Sequence, residues 1–425
     1  MHISQQLAAQ AVGQVLAGRN LSIVLEDAFR RHHAITPQQR AVAQDLSYGT
    51  LRFYGRLQAV LDMLLQKPLT DEYIHHLLLV ALYQLSFDRA ASHTVVNQAV
   101  LAAAKSKKSW AKGLVNAVLR NFLRQQSELE GRLQGNELAL YSYPGWWISK
   151  LRQQYPQHWQ AMLEAGNQHP PMTLRVNRRH GNASGYLEEL HGAGLSATLL
   201  SEEAVVLEQP TPVGRIPGFS EGRVSVQDFG AQLAALELDV SDGMRVLDAC
   251  CAPGGKTGHV LELADVSMTA IDHDPQRLQR VRENLDRLHL QADLITGDAA
   301  TPDNWWNGVP YDRILADVPC TASGIVRRHV DIKWLRREQD IASFTRQQAV
   351  ILQGLWRLLA KGGKLLYVTC SVFHEENQQQ IDQFLHTQAD ARLLPYRHAQ
   401  LELTKGQLYP GKEHDGFFYA LLQKV

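Results

Sequence analysis

The sequence predicts a multidomain chain in three parts: an all-α bundle over residues 1–140, a small α+β connector over 141–230, and a Rossmann-like α/β domain over 231–425. Three observations carry this. Apolar residues first recur at helical spacing; a Gly- and Pro-rich stretch then interrupts them; from Gln232 onward strand-like apolar runs alternate with helical ones. A chain of 425 residues is too long for one small core, and 45% hydrophobic with 20% charged residues is an ordinary globular composition.

The bundle is read from "LSIVLEDAFRR", "HHLLLVALYQLSF", "HTVVNQAVLAAAKS" and "AKGLVNAVLRNFLR". In the last, Leu114, Val118 and Phe122 fall at i, i+4 and i+8 with Val115 and Leu119 beside them, which makes one apolar stripe. Residues 1–140 hold 15 Lys and Arg against 10 Asp and Glu, a balance of +5 in a chain whose net charge is zero. That lean suits a nucleic-acid partner and a solvated helical surface about equally.

The connector is marked by "LQGNELALYSYPGWW" and "PTPVGRIPGF", with strand-like "MTLRVNRR", "AVVLEQ" and "RVSVQD" between short helical pieces.

In the third part the runs "MRVLDAC", "SMTAID", "ADLITGD", "YDRILADV" and "GKLLYVTC" are separated by helical stretches such as "PQRLQRVRENLDRL". Such alternation predicts a mostly parallel sheet wound on both faces, whose ligands sit at the carboxyl ends of the strands. In the helix that begins near Gln339, Ile341, Phe344, Ile351, Leu355 and Leu358 trace one face, and Gly362-Gly363 is the expected stop.

No apolar run is long enough to cross a bilayer, and the start "MHISQQLAAQAVGQVL" has neither a basic leader nor a continuous apolar core. A cytoplasmic, monomeric protein without a membrane partner is the expectation. The four cysteines, Cys250, Cys251, Cys320 and Cys370, form no CxxC pair, so reduced thiols and no metal are expected.

The strand ends carry the chemistry. After "RVLDA" comes "CCAPGGKTGHV", where Gly254 and Gly255 allow the backbone to approach a ligand at a helix N-terminus. A phosphate loop ending at Lys256-Thr257 would need glycine where Cys250 stands, and the stretch is not GxGxxG either. Each later strand ends in an acid: Asp272, Asp298 and Asp317. A tight turn with acids placed for ribose hydroxyls and an adenine amino group suits an adenosine-bearing ligand without pyrophosphate, and S-adenosylmethionine fits that description. A lone acid at such a place is more often a cap or turn residue, but three in register point to a ligand.

Cys320 follows the fourth strand in "DVPCTASG", and Cys370 ends the fifth. Neighbouring strands would bring both thiols to one rim. Methylation at carbon 5 of cytosine needs a thiolate added at carbon 6, which turns carbon 5 into an enamine nucleophile. The adduct must then lose a proton and expel the thiol. Two cysteines can divide that work, and Asp317 can hydrogen-bond the ring edge where charge develops.

The motifs "LDACCAPGGKTGH", "DVPCTASGIVRRHVDIKWLRR" and "YVTCSVFHEEN" resemble the S-adenosylmethionine-dependent RNA 5-methylcytosine methyltransferases of the Sun type. "TVVNQAV" and "KGLVNAVLRNFLR" look like that family's NusB-type RNA-binding domain, "LRVN" like its connecting domain, and "DGFFYALL" like its last strand. The resemblance implies a class I methyltransferase fold, 16S ribosomal RNA as partner, Cys370 as nucleophile and Cys320 as the group that helps resolve the adduct. It also implies that Cys250, Cys251, Ala252, Pro253, Gly254, Gly255 and Lys256, with Asp272, Asp298 and Asp317, surround the cofactor and the target base. Lys256 and a helix terminus are the two candidates for lowering the nucleophile's pKa. Cys251 departs from the family, which usually has alanine there, and Val318 and Thr321 depart from the commoner wording DAPCS. None of the three changes removes a reactive group.

Two basic runs read as phosphate tracks with a stacking surface: Arg327, Arg328, Lys333, Arg336 and Arg337 with Trp334, and Lys105, Lys107, Lys108 and Lys112 around Trp110. Three alternatives accompany the main reading. Cys320 is the nucleophile instead; the chain is a NusB-like RNA-binding assembly factor with an inactive methylase fold; or it methylates an amino group, which "DVPC" in place of Asn/Asp-Pro-Pro-Tyr/Phe disfavours.

Overall fold

The computed structural model describes residues 2–88, 90–106, 108–396, 401 and 403–425. The chain divides into two compact units, one of Met1–Gln168 with Val326–Glu338, the other of His169–Ile325 with Gln339–Val425.

The first unit is helical. Its starts follow from local chemistry: Asn20 accepts from the amides of Ser22 and Ile23 at the head of helix Leu21–Arg31, and Thr36 with Gln39 forms a reciprocal capping box for Pro37–Arg52. The predicted stripe belongs to helix Lys112–Leu133, where Val115, Val118, Leu119 and Phe122 are buried in one cluster with Leu77, Leu78, Val95 and Ala99. Into this unit packs the segment after "DVPCTASG". Asp331 Oδ2 accepts from the Asn20 side chain and the Leu21 amide, each at 3.0 Å, and Val330 joins the helical core.

The second unit holds two sheets. The smaller has strands β1 (Met172–Val176), β2 (Ala197–Leu199), β3 (Ala204–Leu207) and β4 (Val224–Val226), all antiparallel in the order β2-β3-β1-β4, with helix Ala183–Gly192 packed on them. Of these, β2 is the strand that periodicity does not reveal, being three residues long with two exposed.

The larger sheet contains β5 (Arg245–Ala249), β6 (Ser267–Asp272), β7 (Asp293–Thr296), β8 (Tyr311–Asp317), β9 (Leu359–Thr369), β10 (Ala391–Leu393), β11 (Gln407–Leu408) and β12 (Phe417–Lys424). Its order is β10-β12-β9-β8-β5-β6-β7, with β11 on β12; β5 to β9 are parallel and β12 runs antiparallel to β9. Alternate side chains go to opposite faces, as a pleated strand requires. Val246, Leu315 and Leu366 enter one core cluster, and Leu247, Ile314 and Leu365 the other.

One expectation changes. The long helix ends at Leu358 and β9 begins at once, so Gly362-Gly363 lies inside the strand. Pairing runs from Tyr311 with Leu359 to Arg313 with Lys364, so four residues of β9 bulge opposite Asp312 alone. Gly362 takes φ +81° there, a conformation glycine adopts without steric cost.

Candidate active site

The sheet order puts the ends of five parallel strands on one rim. Along it stand Cys370 after β9, Asp317 at the end of β8, Cys250 after β5, Asp272 at the end of β6 and Asp298 beyond β7. Order reverses between β5 and β8, the place where open α/β sheets open a crevice.

The turn after β5 is held from both sides. The Cys251 amide donates to the Ile271 carbonyl at 2.9 Å, the Ala252 amide to Asp272 Oδ2 at 3.3 Å, and the Gly254 amide to the Cys251 carbonyl at 2.8 Å. Cys250 has φ +63° and Gly254 φ +93°. A Cβ on Gly254 would lie 3.0 Å from Val281 Cγ1 and 3.2 Å from its Cα, so both conformation and space call for glycine. Gly254 opens helix Gly255–Leu263, whose first amides face the rim. Ala252 is buried and Pro253 exposed. Cys251 packs into the core cluster around Val246 and Val260, so the sulfur that departs from the family is a core residue. Burial pushes the Cys250 and Cys251 thiols far above the ordinary range.

The three strand-end acids have different surroundings. Asp272 is buried; its carboxylate meets the Asp274 amide at 3.1 Å and Arg277 Nη1 at 3.2 Å, while Arg277 Nη2 donates to the Ala252 carbonyl at 2.9 Å. Asp298 is exposed and accepts from the Ala300 amide at 2.9 Å. Asp317 is partly exposed and 2.6 Å from Lys256 Nζ, which helix Gly255–Leu263 supplies from its first turn. Burial opposes the Lys256 charge, but the charge and hydrogen bond of Asp317 overcome it and hold the ammonium above the ordinary lysine range, with Cys370 adding to the effect.

Cys320 Sγ and Cys370 Sγ are 3.4 Å apart. Cys320 is buried and Cys370 half-buried. The contact with Cys370, and then burial, push the Cys320 thiol well above its ordinary pKa. The two turns that carry the cysteines are also joined through the backbone, the Gly324 amide donating to the Cys370 carbonyl at 2.8 Å.

Several contributors escape a reading of the motifs. Asp248 lies inside β5, wholly buried, with Oδ2 accepting from Thr257 at 2.6 Å and, among the described residues, no partner for Oδ1. An acid interrupting the apolar run "RVLDA" was its signal. Arg175 of "LRVN" is buried on Glu262, Nη2 to Oε1 at 2.6 Å, and its Nη1 donates to the Gly255 carbonyl at 2.9 Å. Thus β1 holds the first residue of the helix behind the turn.

The basic run after Cys320 is not the surface track that its charges suggest. Lys333 is 0% exposed, donates to the Arg52 carbonyl and to Asn167 Oδ1, each at 2.7 Å, and lies 4.3 Å from the centre of the Tyr143 ring. Arg327 is also buried, and the Trp334 indole donates to the Leu51 carbonyl at 2.7 Å. These three anchor the segment within the helical unit, while Arg337 is exposed and Arg328 and Arg336 are partly so. In the other run, Trp110 is 61% exposed, Lys105 and Lys112 face solvent, Lys108 pairs with Asp71, and Lys107 lies outside the described residues. No described helix is long and apolar enough to cross a membrane.

Comparison with known proteins agrees along the whole chain. The family described as 16S rRNA methyltransferase RsmB/F matches residues 235–423, the RsmF/B-like ferredoxin-like domain matches 143–214, and the NusB family matches 2–124. Proteins named ribosomal RNA small subunit methyltransferase B are similar at full length. The one from Vibrio cholerae is 45% identical, covering 98% of this chain and 96% of its own, and that from Serratia proteamaculans is 43% identical, covering 99% and 98%. The crystal structure of PH0851 shares the fold with a TM-score of 0.79 at 23% identity, covering 100% of this chain and 99% of its own. A methyltransferase homolog from Pyrococcus horikoshii has a TM-score of 0.59 at 28% identity, covering 68% of this chain and 97% of its own. With relatives this similar over nearly all its length, the chain belongs to the RsmB/F family of 16S rRNA methyltransferases.

Proposed function

We propose that this chain transfers a methyl group from S-adenosylmethionine to carbon 5 of a cytosine in 16S rRNA through a covalent adduct between Cys370 and carbon 6. The single observation that carries the reading is the pair of thiols 3.4 Å apart, at the ends of adjacent parallel strands and beside the Lys256–Asp317 pair.

The rim suits the cofactor. Gly254 keeps the turn free of a side chain at the helix N-terminus, and Asp272 and Asp298 supply carboxylates at the second and third strand ends. Residues 250–256 would lie along its methionine part, Asp272 near ribose hydroxyls and Asp298 near the adenine amino group. When bound, it supplies the methyl group on a positive sulfur.

The remaining chemistry belongs to the protein and the base. The Cys370 thiolate adds to carbon 6. Asp317 hydrogen-bonds the ring edge and stabilises the charge that develops on addition. Once carbon 5 carries the methyl group and has given up its proton to a base, the carbon–sulfur bond breaks and its electron pair returns to Cys370. Cys320, whose raised pKa favours the thiol form, meets that sulfur with its S–H and aids release. On this reading residues 1–140 bind RNA, 141–230 connect and 231–425 catalyse, in a chain that works as a monomer in the cytoplasm.

RNA containing 5-fluorocytosine is the test, because fluorine cannot leave as the proton does and the adduct accumulates. The wild-type chain and Cys320→Ala should trap it covalently, and Cys370→Ala should not. Trapping by Cys370→Ala but not by Cys320→Ala would transfer the nucleophile to Cys320. Binding of the RNA with no methyl transfer by the wild-type chain would restore the assembly-factor alternative.

A further inference from the structure

The turns that follow the two cysteines meet on one buried carboxylate. Glu376 is 0% exposed and stands just beyond β9. Its Oε1 accepts from the Thr321 amide at 2.8 Å and from Gln348 Nε2 at 3.1 Å, and its Oε2 accepts from the hydroxyls of Thr321 and Ser371. Thr321 is the residue after Cys320, and Ser371 the residue after Cys370.

Around this centre the donors and acceptors close on each other. Ser323 Oγ lies 3.1 Å from Thr321 Oγ1 and 3.0 Å from Ser371 Oγ, and accepts from the Val372 amide at 2.9 Å. Ser371 Oγ accepts from the Phe373 amide at 3.1 Å. Gln348 also donates to the Pro319 carbonyl, at 2.9 Å, so the long helix reaches the residue before Cys320 as well. Four donors satisfy a carboxylate that burial otherwise disfavours and pushes above its ordinary pKa. Thr321 retains the hydroxyl that this arrangement uses, so its departure from the commoner serine keeps the contact.

We propose that Glu376 is a positioning residue that clamps the Cys320 turn to the Cys370 turn and thereby sets the separation of the two thiols. The catalytic meaning of that separation rests on the reading of Cys370 and Cys320 above. The clamp itself is a statement about geometry, and a geometric readout tests it independently of catalysis.

Glu376→Gln preserves the shape. Its amide oxygen accepts from the Thr321 amide and Gln348, and its amide nitrogen donates to the two hydroxyls, one of which can turn its proton toward the remaining lone pair of Ser323 Oγ. Glu376→Ala removes every arm of the clamp. Thr321→Val cuts the hydroxyl arm to Glu376, together with the hydroxyl contacts to Ser323 and Ser371, but keeps the amide arm, and provides a second, milder variant.

The experiment uses the full-length chain. Diamide oxidises a close dithiol, taking both thiol hydrogens and itself being reduced to the hydrazine, and mass spectrometry of peptides reports the rate of the Cys320–Cys370 bond. Turnover on unmodified 16S rRNA is measured beside it, with KM for S-adenosylmethionine and for RNA. Glu376→Ala should slow both disulfide formation and kcat by about 10- to 100-fold with either KM little changed, because an error near 1 Å in a reacting pair costs on that scale. Glu376→Gln should recover most of both rates, and Thr321→Val should fall between. The proposal is overturned if Glu376→Ala oxidises at the wild-type rate, or if kcat falls only in proportion to the unfolded fraction. Failure of the wild-type chain to trap 5-fluorocytosine RNA would sink the covalent reading alone, since the oxidation rates would still decide the clamp.

Discussion

Lys256 Nζ lies 2.6 Å from Asp317 Oδ2, which joins the helix after the Gly-rich turn to the end of the strand before the Cys320 turn. One charged pair thus touches both halves of the proposed chemistry, the thiolate and the ring edge. Replacing Lys256 by Met keeps the stem and removes the ammonium, so kcat should fall by about 100-fold, the scale of losing one preorganised donor. Initial rates of methyl transfer to unmodified 16S rRNA measure it. A rate near that of the wild type would show that Lys256 does not act on the reacting groups.

Asp248 supplies a pH dependence. Burial raises its pKa to about 7, with the Thr257 hydrogen bond opposing and the Asp317 charge adding to the rise. A raised carboxyl pKa means that the folded state holds a proton the unfolded chain releases. The stability it contributes is present below the ordinary carboxylate pKa and is lost as pH rises through about 7. Every tenfold difference in proton affinity between the two states is worth about 1.4 kcal/mol. Asp248→Asn cannot ionise. Denaturant titrations from pH 4 to 8 should therefore show the variant gaining on the wild type as pH rises. Parallel curves would mean that Asp248 remains ionised throughout.

Arg175 and Glu262 form a pair buried at 0% and 2% of their side-chain surface. Removing one partner leaves the other charge buried, a loss of roughly 3–5 kcal/mol. Arg175→Met should lower the midpoint of unfolding and, because Arg175 also holds the Gly255 carbonyl, weaken cofactor binding. Calorimetry with S-adenosylhomocysteine separates the effects: an unchanged Kd in the folded fraction would leave Arg175 a structural role only.

Gly254→Ala forces a side chain into φ +93° against Val281. The left-handed conformation alone costs roughly 1–2 kcal/mol. Stability and cofactor affinity should fall together, whereas alanine at exposed Gly113, a helical position with open space, should cost no stability and leave cofactor affinity as it is.

Lys333 distinguishes anchoring from RNA contact. Lys333→Ala should destabilise the chain, while the slope of log K against log salt for RNA binding stays constant, since a side chain buried away from solvent releases no counterions. A slope reduced by about one would return Lys333 to the phosphate track.

Much of this was legible in advance, and for definite reasons. Helical stripes such as Val115, Val118, Leu119 and Phe122 mark a buried face because the helix repeats every 3.6 residues, and the alternating apolar runs mark a wound parallel sheet. In such a sheet the carboxyl ends share one edge by construction, so Asp272, Asp298, Asp317 and Cys370 could be assigned to a common rim from their places at the ends of runs. Motif resemblance added the family, which the full-length relatives bear out.

What the sequence by itself determined was therefore the class of fold, the family and the edge of the sheet where reactive groups collect, all consequences of local periodicity and motif. Only the tertiary structure decided what each polar group faces. Lys333 reads as part of a surface track until the Arg52 carbonyl, Asn167 and Tyr143, distant in sequence, enclose it, and the Arg327 carbonyl accepts from the Arg52 guanidinium. Glu376 and Gln348 carry no signal in the sequence motifs, and only the fold brings four donors onto the one carboxylate. Burial of a charge depends on partners far away in sequence, because an unpaired charge cannot leave water at tolerable cost, and no local pattern specifies those partners.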